Sequence, residues 1–309
     1  MPKFAMVFPG QGSQHTGMLA ELAASFTIVK KTFSEASSVL GYDLWHLTQN
    51  GPAEELNKTW KTQPALLTAS VSIWRVWQHC KGSEPGIMAG HSLGEYAALV
   101  CAGALDFKQA VSLVSLRGKL MQEAVPEGRG AMSAIIGLDN HTIATICKES
   151  ALGQIVAPVN FNSPGQVVIA GNTEAVRRAE LACKKAGARR AISLPVGVPS
   201  HCALMKPAAD KLALALEKIN FQAPKYPIIN NVDVKMEISE SAIRSALVRQ
   251  LYSPVRWTES VECLAREGAE WLLEAGPGRI LTGLTQRIVA TLQAAAVNDA
   301  ATLSAALEL

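Results

Sequence analysis

The sequence predicts an α/β fold in which a large unit built on a mostly parallel sheet is interrupted by a small inserted module. Three observations carry this. Short apolar runs of strand length alternate with longer helix-forming stretches in the first part of the chain. The Gly/Pro-rich hinge Pro126-Glu127-Gly128-Arg129-Gly130 breaks that rhythm, and it resumes only after Pro199. Between the two, strands are joined directly by a turn at Ser163-Pro164-Gly165, which parallel neighbours do not allow because they need a crossover.

Taken in order, Phe4–Phe8 is a fully apolar strand, and a helical region begins near Met18. Ile87–Ala89 is the next strand, followed by helices over Tyr96–Ala104 and Phe107–Ala124. After the hinge come a strand at Ala131–Gly137, a helix at Asn140–Ser150 and a strand at Gln154–Val159. The turn Asn162-Ser163-Pro164-Gly165 leads into a strand through Val167-Val168-Ile169-Ala170. Asn172 is placed to cap a helix over Thr173–Ala186, with Gly187 at its C-terminal end. Ala191-Ile192-Ser193-Leu194 closes the module, and its β-α-β-β-α-β order is that of a ferredoxin-like split βαβ unit. The large unit then resumes with a helix at Ala203–Lys218, a strand near Pro227–Asn230, and helices near Ser241–Leu251 and Thr258–Arg266. A strand at Glu270–Leu273, the turn Gly276-Pro277-Gly278 and a last helix complete it. The expected division is residues 1–126 with 199–309, and 127–198 inserted. The Ala-rich end (Ala294-Ala295-Ala296, Ala300-Ala301) reads as a peripheral tail of no catalytic importance, and there are no internal repeats.

Composition removes several function classes. With 49% hydrophobic and 18% charged residues, the chain is a well-buried globular protein. No apolar run approaches the roughly 20 residues a membrane helix needs, and the longest clear one, Ala97 to Leu105, reads as a buried helix. The start, Met1 to Phe8, runs into a Gly-rich loop and lacks the apolar length of a signal peptide, so the expected location is cytoplasmic. Six cysteines (Cys80, Cys101, Cys147, Cys183, Cys202, Cys263) are scattered without a Cys-x-x-Cys, as reduced thiols acting as apolar fillers would be. Six histidines form no His-x-x-x-His or His/Cys cluster, so no bound metal is expected. A net charge of +3, with few aromatics and no interleaved basic residues, does not describe a nucleic-acid binder.

The most informative segment is Gly90-His91-Ser92-Leu93-Gly94. A Gly-x-Ser-x-Gly between a strand and a helix is the pattern of a nucleophile elbow, which makes the large unit hydrolase-like. Ser92 is the candidate nucleophile, set over the N-terminus of the next helix, whose free N–H groups stabilise a developing oxyanion. A serine needs a base. His201, where the large unit restarts, is the candidate. His91 competes, but a residue adjacent to the nucleophile generally projects away from it. No carboxylate stands out to orient the imidazole, since Asp106 and Asp139 read as helix-start residues; a backbone carbonyl serves equally. Arg117 shares its helix face with Ala110, Leu113, Val114, Leu120 and Met121, which lie three, four or seven positions away. An arginine on an apolar stripe either snorkels to water or clamps a carboxylate, and the spacing leaves both open. The loop Pro9-Gly10-Gln11-Gly12-Ser13-Gln14 is no dinucleotide site, because His15 stands where a third glycine belongs; it reads as a site-lining loop.

Phe8-Pro9-Gly10-Gln11-Gly12-Ser13-Gln14, Thr62-Gln63-Pro64-Ala65, Gly90-His91-Ser92-Leu93-Gly94-Glu95 and Pro199-Ser200-His201 resemble the malonyl-CoA:acyl carrier protein transacylases. So do Asn160-Phe161-Asn162-Ser163-Pro164-Gly165-Gln166 and Glu274-Ala275-Gly276-Pro277-Gly278. The similarity runs end to end, in order, and is to the free-standing bacterial type used in fatty acid synthesis. It implies that Ser92 carries a malonyl ester, that His201 is its base and that Arg117 grips the malonyl carboxylate. It implies an oxyanion hole from the Gln11 and Leu93 N–H groups. It also implies that a main-chain carbonyl orients the histidine; the matching segment is Gln250-Leu251-Tyr252-Ser253-Pro254-Val255-Arg256-Trp257 and the position is Gln250. Gln166 joins the substrate-binding set, with Met121 and Ser200 in the acyl pocket. Malonyl-CoA, CoA and holo acyl carrier protein are the implied ligands, with no cofactor, and a monomer is expected.

An acidic carrier protein calls for a basic surface. Arg177, Arg178, Lys184, Lys185, Arg189 and Arg190 crowd the end of the small module, as a docking face or as a solvated helix face. Three rival functions stand beside this one: a serine hydrolase using the same Ser92 and His201, a non-catalytic carrier-binding module, which would not need Ser92, His201 and Arg117 together, and an acyltransferase domain cut from a larger synthase. The native-looking start and tail argue for a free-standing protein.

Overall fold

A computed structural model describes residues 3–309. The chain opens with β1 (Phe4–Phe8), then α1 (Ala20–Ser25), α2 (Thr27–Leu40), α3 (Leu44–Asn50), α4 (Ala53–Leu56) and the long α5 (Thr59–His79). β2 (Ile87–Gly90), α6 (Gly94–Cys101) and α7 (Phe107–Ala124) follow. All five residues of β1 and all four of β2 are buried, which accounts for their unbroken apolar runs: strands covered on both faces show no alternation. α5 is buried on nearly every side, so its sequence lacks the helical period that would have set its bounds.

The small module is β3 (Gly130–Ile136), α8 (Asn140–Ser150), β4 (Val156–Ser163), β5 (Gln166–Asn172), α9 (Thr173–Lys185) and β6 (Arg190–Ser193). Its strands lie in the order β4-β5-β3-β6, every neighbour antiparallel, which is the ferredoxin-like arrangement. Asp106 and Asp139 cap α7 and α8 by accepting from the N–H groups of Gln109 and Thr142. Asn172 occupies the cap position of α9, but its side chain accepts from Ile155 N–H instead, tying β5 to the loop before β4.

A short 3-10 turn (Ala203–Met205) leads to α10 (Lys206–Leu216), β7 (Ile228–Ile229), α11 (Glu240–Gln250), α12 (Trp257–Arg266), β8 (Trp271–Ala275), α13 (Ile280–Ile288), β9 (Gln293–Val297) and α14 (Ala300–Leu307). The central sheet runs β7-β2-β1-β8-β9, all parallel. This corrects the reading of the Ala-rich end as a tail. Ala294-Ala295-Ala296 lies in an edge strand of the main sheet, and Leu303 and Ala306 of α14 are buried in the core. Alanine has little strand propensity, so only pairing with β8 reveals the strand.

We place the division between the units at 126/127 and 198/199, where the chain passes from one sheet to the other. The units share backbone bonds: Phe161 N–H donates to the Val255 carbonyl (3.0 Å) and Val255 N–H to that of Val159 (2.8 Å). β1 and β2 are in register up to Phe8 opposite Gly90. The Pro9 loop and the Ser92 turn therefore leave the sheet side by side at its carboxyl edge, where open parallel sheets place their ligands.

Candidate active site

The chain leaves β2 at Gly90, turns through Ser92 and enters α6 at Gly94. The turn is tight enough to exclude side chains on both flanks. A Cβ on Gly90 would lie 1.9 Å from the Gly94 carbonyl carbon, and one on Gly94 would lie 2.0 Å from the Phe8 oxygen. Ser92 itself has φ 52°, a left-handed conformation that costs a non-glycine residue about 1–3 kcal/mol. Asn231, two residues beyond β7, offsets this strain. Its Oδ1 accepts from Ser92 N–H (2.7 Å) and its Nδ2 donates to the Gly90 carbonyl (2.7 Å).

Ser92 Oγ donates to His201 Nε2 at 2.7 Å. His201 also adopts a left-handed backbone, φ 64°, with its N–H held by the Leu251 carbonyl (2.9 Å). Its Nδ1 lies 2.7 Å from the main-chain oxygen of Gln250. A carbonyl only accepts, so Nδ1 carries the proton and Nε2 presents its lone pair to the serine. Burial, and next the Arg117 charge, push the His201 imidazole down to about 3, so it is neutral and ready to take a proton. His91 points elsewhere, with Nε2 2.8 Å from Asn162 Oδ1 and its ring edge-on to Trp257.

Arg117 is wholly buried on α7, which removes the snorkelling alternative. Nη1 donates to Gln63 Oε1 (2.9 Å) and Nη2 to Gln250 Oε1 (3.0 Å), while Nε has no acceptor among the described residues. The Tyr96 ring lies 5.4 Å from the guanidinium carbon. Arg117 forms no ion pair among the described residues. A buried cation whose direct hydrogen-bond acceptors are neutral amides suits an anion, since its desolvation is otherwise poorly compensated.

Gln63, which sequence reasoning left without a role, also reaches Gln11 Oε1 (3.3 Å) and Met121 Sδ (3.5 Å) through Nε2. Gln63 thus contacts both Met121 and Arg117, and Ser200 adjoins His201 in the chain. The N–H groups of Gln11 and Leu93 donate to no protein acceptor among the described residues. Glu95 lies behind the cluster, where its Oε2 accepts from Gln250 Nε2 (2.9 Å) and Asn231 N–H (2.9 Å). Burial pushes its carboxyl up to about 7, against the downward pull of those two bonds and of Arg117.

Gln166 is not in this cluster. Its Oε1 accepts from Arg287 (3.2 Å), and it lines a cleft of about 560 Å³ with Arg189, Arg190 and Arg287. Two members of the basic set, meanwhile, have structural partners. Arg178 donates to the Ser150 and Ala151 carbonyls and Gln154 Oε1, and Arg177 pairs with Glu174. Asn231 and Gln63 were invisible to sequence reasoning for different reasons. An asparagine after a strand looks like any turn residue, and Gln63 sits in a helix that also carries threonines, serines, a lysine and an arginine, so one more polar residue there does not stand out. Among the described residues, no group of three or more His, Cys, Asp or Glu is arranged to hold a metal, and no helix is long and apolar enough to cross a membrane.

The arrangement is a neutral base on a serine, with a buried cation joined to the support of that base through Gln250. It suits acyl transfer of a group that carries its own negative charge. Comparison with known proteins agrees. Residues 5–305 match the model of the acyl transferase domain family. The chain is 70% identical over 307 residues to the malonyl CoA-acyl carrier protein transacylase of Salmonella typhimurium, covering 99% of each chain. It is 69% identical to the enzyme of that name from Escherichia coli K12 over the full length of both. Among solved structures it resembles a malonyl-transacylase in a holo complex with a type II polyketide acyl carrier protein, with a TM-score of 0.98, 71% identity and 99% coverage of each chain.

Proposed function

The chain belongs to the acyl transferase domain family, and we propose that Ser92, His201 and Arg117 carry its reaction. It transfers the malonyl group of malonyl-CoA to the thiol of acyl carrier protein. Ser92 Oγ attacks the thioester carbonyl while His201 Nε2 takes the hydroxyl proton, and the Gln11 and Leu93 N–H groups receive the developing oxyanion. Collapse expels CoA, whose thiolate recovers the proton from His201. The malonyl-serine then waits. The phosphopantetheine thiol of the carrier protein gives its proton to His201 and takes the acyl group, and the expelled Ser92 oxygen recovers that proton, which completes a ping-pong cycle between thioesters of similar energy.

The observation that carries this reading is the buried, unpaired Arg117 beside the 2.7 Å serine–histidine contact. It supplies a charge-assisted grip on the free malonyl carboxylate. Gln250 holds His201 through its main chain and Arg117 through its side chain, so base and clamp share one support. Met121 and Ser200 border the acyl group. Gln166 belongs to the substrate-binding set through the arginine cleft, whose charge suits the phosphates shared by CoA and phosphopantetheine. We propose that the enzyme works as a monomer in the cytoplasm, with its malonyl-CoA.

Intact-mass measurement after brief mixing with malonyl-CoA tests the reading. A malonyl adduct is expected on the wild type and not on Ser92→Ala, and holo carrier protein is expected to discharge it. Loss of the adduct to water at the same rate without carrier would make the protein a thioesterase. No adduct would leave only a carrier-binding role.

A further inference from the structure

Glu95 takes no step in that cycle, yet it is 3% exposed and one amide away from Arg117. The Gln250 side chain lies between them, with Oε1 accepting from Arg117 Nη2 and Nε2 donating to Glu95 Oε2. Cation, amide dipole and anion are aligned head to tail in a site without water-exposed charge. Both protein bonds to the carboxyl, from Gln250 Nε2 and Asn231 N–H, fall on Oε2. A proton on Oε1 therefore disturbs neither, and the amides that hold Ser92 and Gln250 stay in place in both protonation states.

Other charges around Glu95 are few. Asp233 is kept ionised by Arg249 (2.6 and 2.9 Å) and opposes a second negative charge nearby. Burial lifts the Tyr96 hydroxyl to about 12, so it is neutral near pH 7, and His201 is neutral as well. Among the described residues, Arg117 is the cation set against Glu95. We infer that Glu95 is the counter-charge of the empty acyl site, and that a malonyl carboxylate arriving on Arg117 drives a proton from solvent onto Glu95. The inference rests on the reading of Arg117 as the carboxylate receptor. Two buried anions sharing one cation do not both stay ionised. With burial already holding Glu95 at about 7, a modest further push crosses neutral pH. Acylation itself moves the serine proton to the CoA thiol and has no net proton balance, so any uptake belongs to the binding of the acyl charge. Discharge to the carrier returns the proton. Glu95 is thus a positioning and charge-balancing residue, not one that touches the reacting atoms.

The test mixes the full-length enzyme with stoichiometric malonyl-CoA at pH 7.5 in weak buffer containing a pH indicator, with loading counted by intact mass. Wild type is expected to take up roughly half a proton per malonyl loaded. Glu95→Gln keeps an oxygen acceptor for both bonds and is expected to load without uptake. Its apparent KM for malonyl-CoA should stay flat between about pH 7 and 8, where that of the wild type rises severalfold. A loaded wild type that takes up no proton overturns the proposal without any variant, as does equal uptake by a loaded Glu95→Gln. Arg117→Ala run in parallel separates the two readings: if it loads malonyl as well as wild type does, the Arg117 assignment fails and the proposal with it.

Discussion

In the reaction we propose, Arg117 and His201 decide what the site accepts and when it works. Truncating Arg117 removes the charged partner of the malonyl carboxylate, a change worth about 2–5 kcal/mol when the other charge must then be buried alone. Arg117→Ala is therefore expected to lower kcat/KM for malonyl-CoA by roughly 30-fold to several thousand-fold. The ratio of acetyl to malonyl transfer should rise, and an unchanged preference in competition with acetyl-CoA refutes the assignment. The pH dependence follows from His201. Its folded-state value of about 3 lies below the ordinary 6.5, so between them the unfolded chain binds a proton that the folded protein refuses. Its contribution to stability is full above 6.5 and is lost as the pH falls toward 3. Glu95 acts oppositely: raised to about 7 from 4.5, it favours folding below 4.5 and loses that contribution as the pH rises through 7. Malonyl loading should show no acid limb at 6.5; the two linkages offset one another between about 4.5 and 6.5, so this pair lowers the melting temperature only as the pH falls below about 4.5. A rate profile that halves at 6.5 would mean that His201 titrates as an exposed imidazole.

At the scale of elements, the serine turn is made by what packs on it. β1, β2 and α6 approach until no side chain fits at Gly90 or Gly94, and Asn231 from beyond β7 ties the turn down. A methyl on Gly94 meets the carbonyl of Phe8 in a central strand, where nothing flexible gives way. Gly94→Ala is expected to destabilise by about 1–3 kcal/mol or more, read as a lower urea midpoint at unchanged slope. Activity should fall further than stability alone explains, because Ser92 shifts with the helix. Full stability in this variant would show that α6 slides freely and that the elbow is not pinned.

For the molecule as a whole, the small module and the large unit together line a basic cleft apart from the serine–histidine cluster. Gln166, Arg189 and Arg190 come from its hairpin and last strand, and Arg287 comes from α13. Lys184 and Lys185 stand exposed at the end of α9 without an ion pair among the described residues. Reversing Lys184 and Lys185 to glutamate together is expected to raise the apparent KM for acyl carrier protein severalfold, as lost steering does. KM for malonyl-CoA should not change. Reversal of Arg190 and Arg287 is expected to raise both, since CoA and the carrier's phosphopantetheine share phosphates. Equal effects from the two pairs would merge the cleft and the helix end into one surface.

Local chemistry determined a great deal without the structure. Gly-x-Ser-x-Gly between strand and helix marked Ser92 as the nucleophile we propose, because such a turn has few sequence solutions. The turn at Ser163-Pro164-Gly165 separated two sheets, because parallel strands are not joined so briefly. An arginine among five apolar residues marked a buried cation but not its use. Only tertiary structure decided the rest. The carbonyl that orients His201 belongs to the main chain of Gln250, 49 residues away, and main-chain atoms leave no mark in a residue's identity. Gln63, Glu95 and Asn231 join the site from three separate elements through side-chain amide and carboxyl groups common on any surface. The alanine strand β9 exists through its ladder with β8 and not through propensity. Residue type encodes what a group does chemically; which groups meet is fixed by packing across long separations, where sequence carries no local signal.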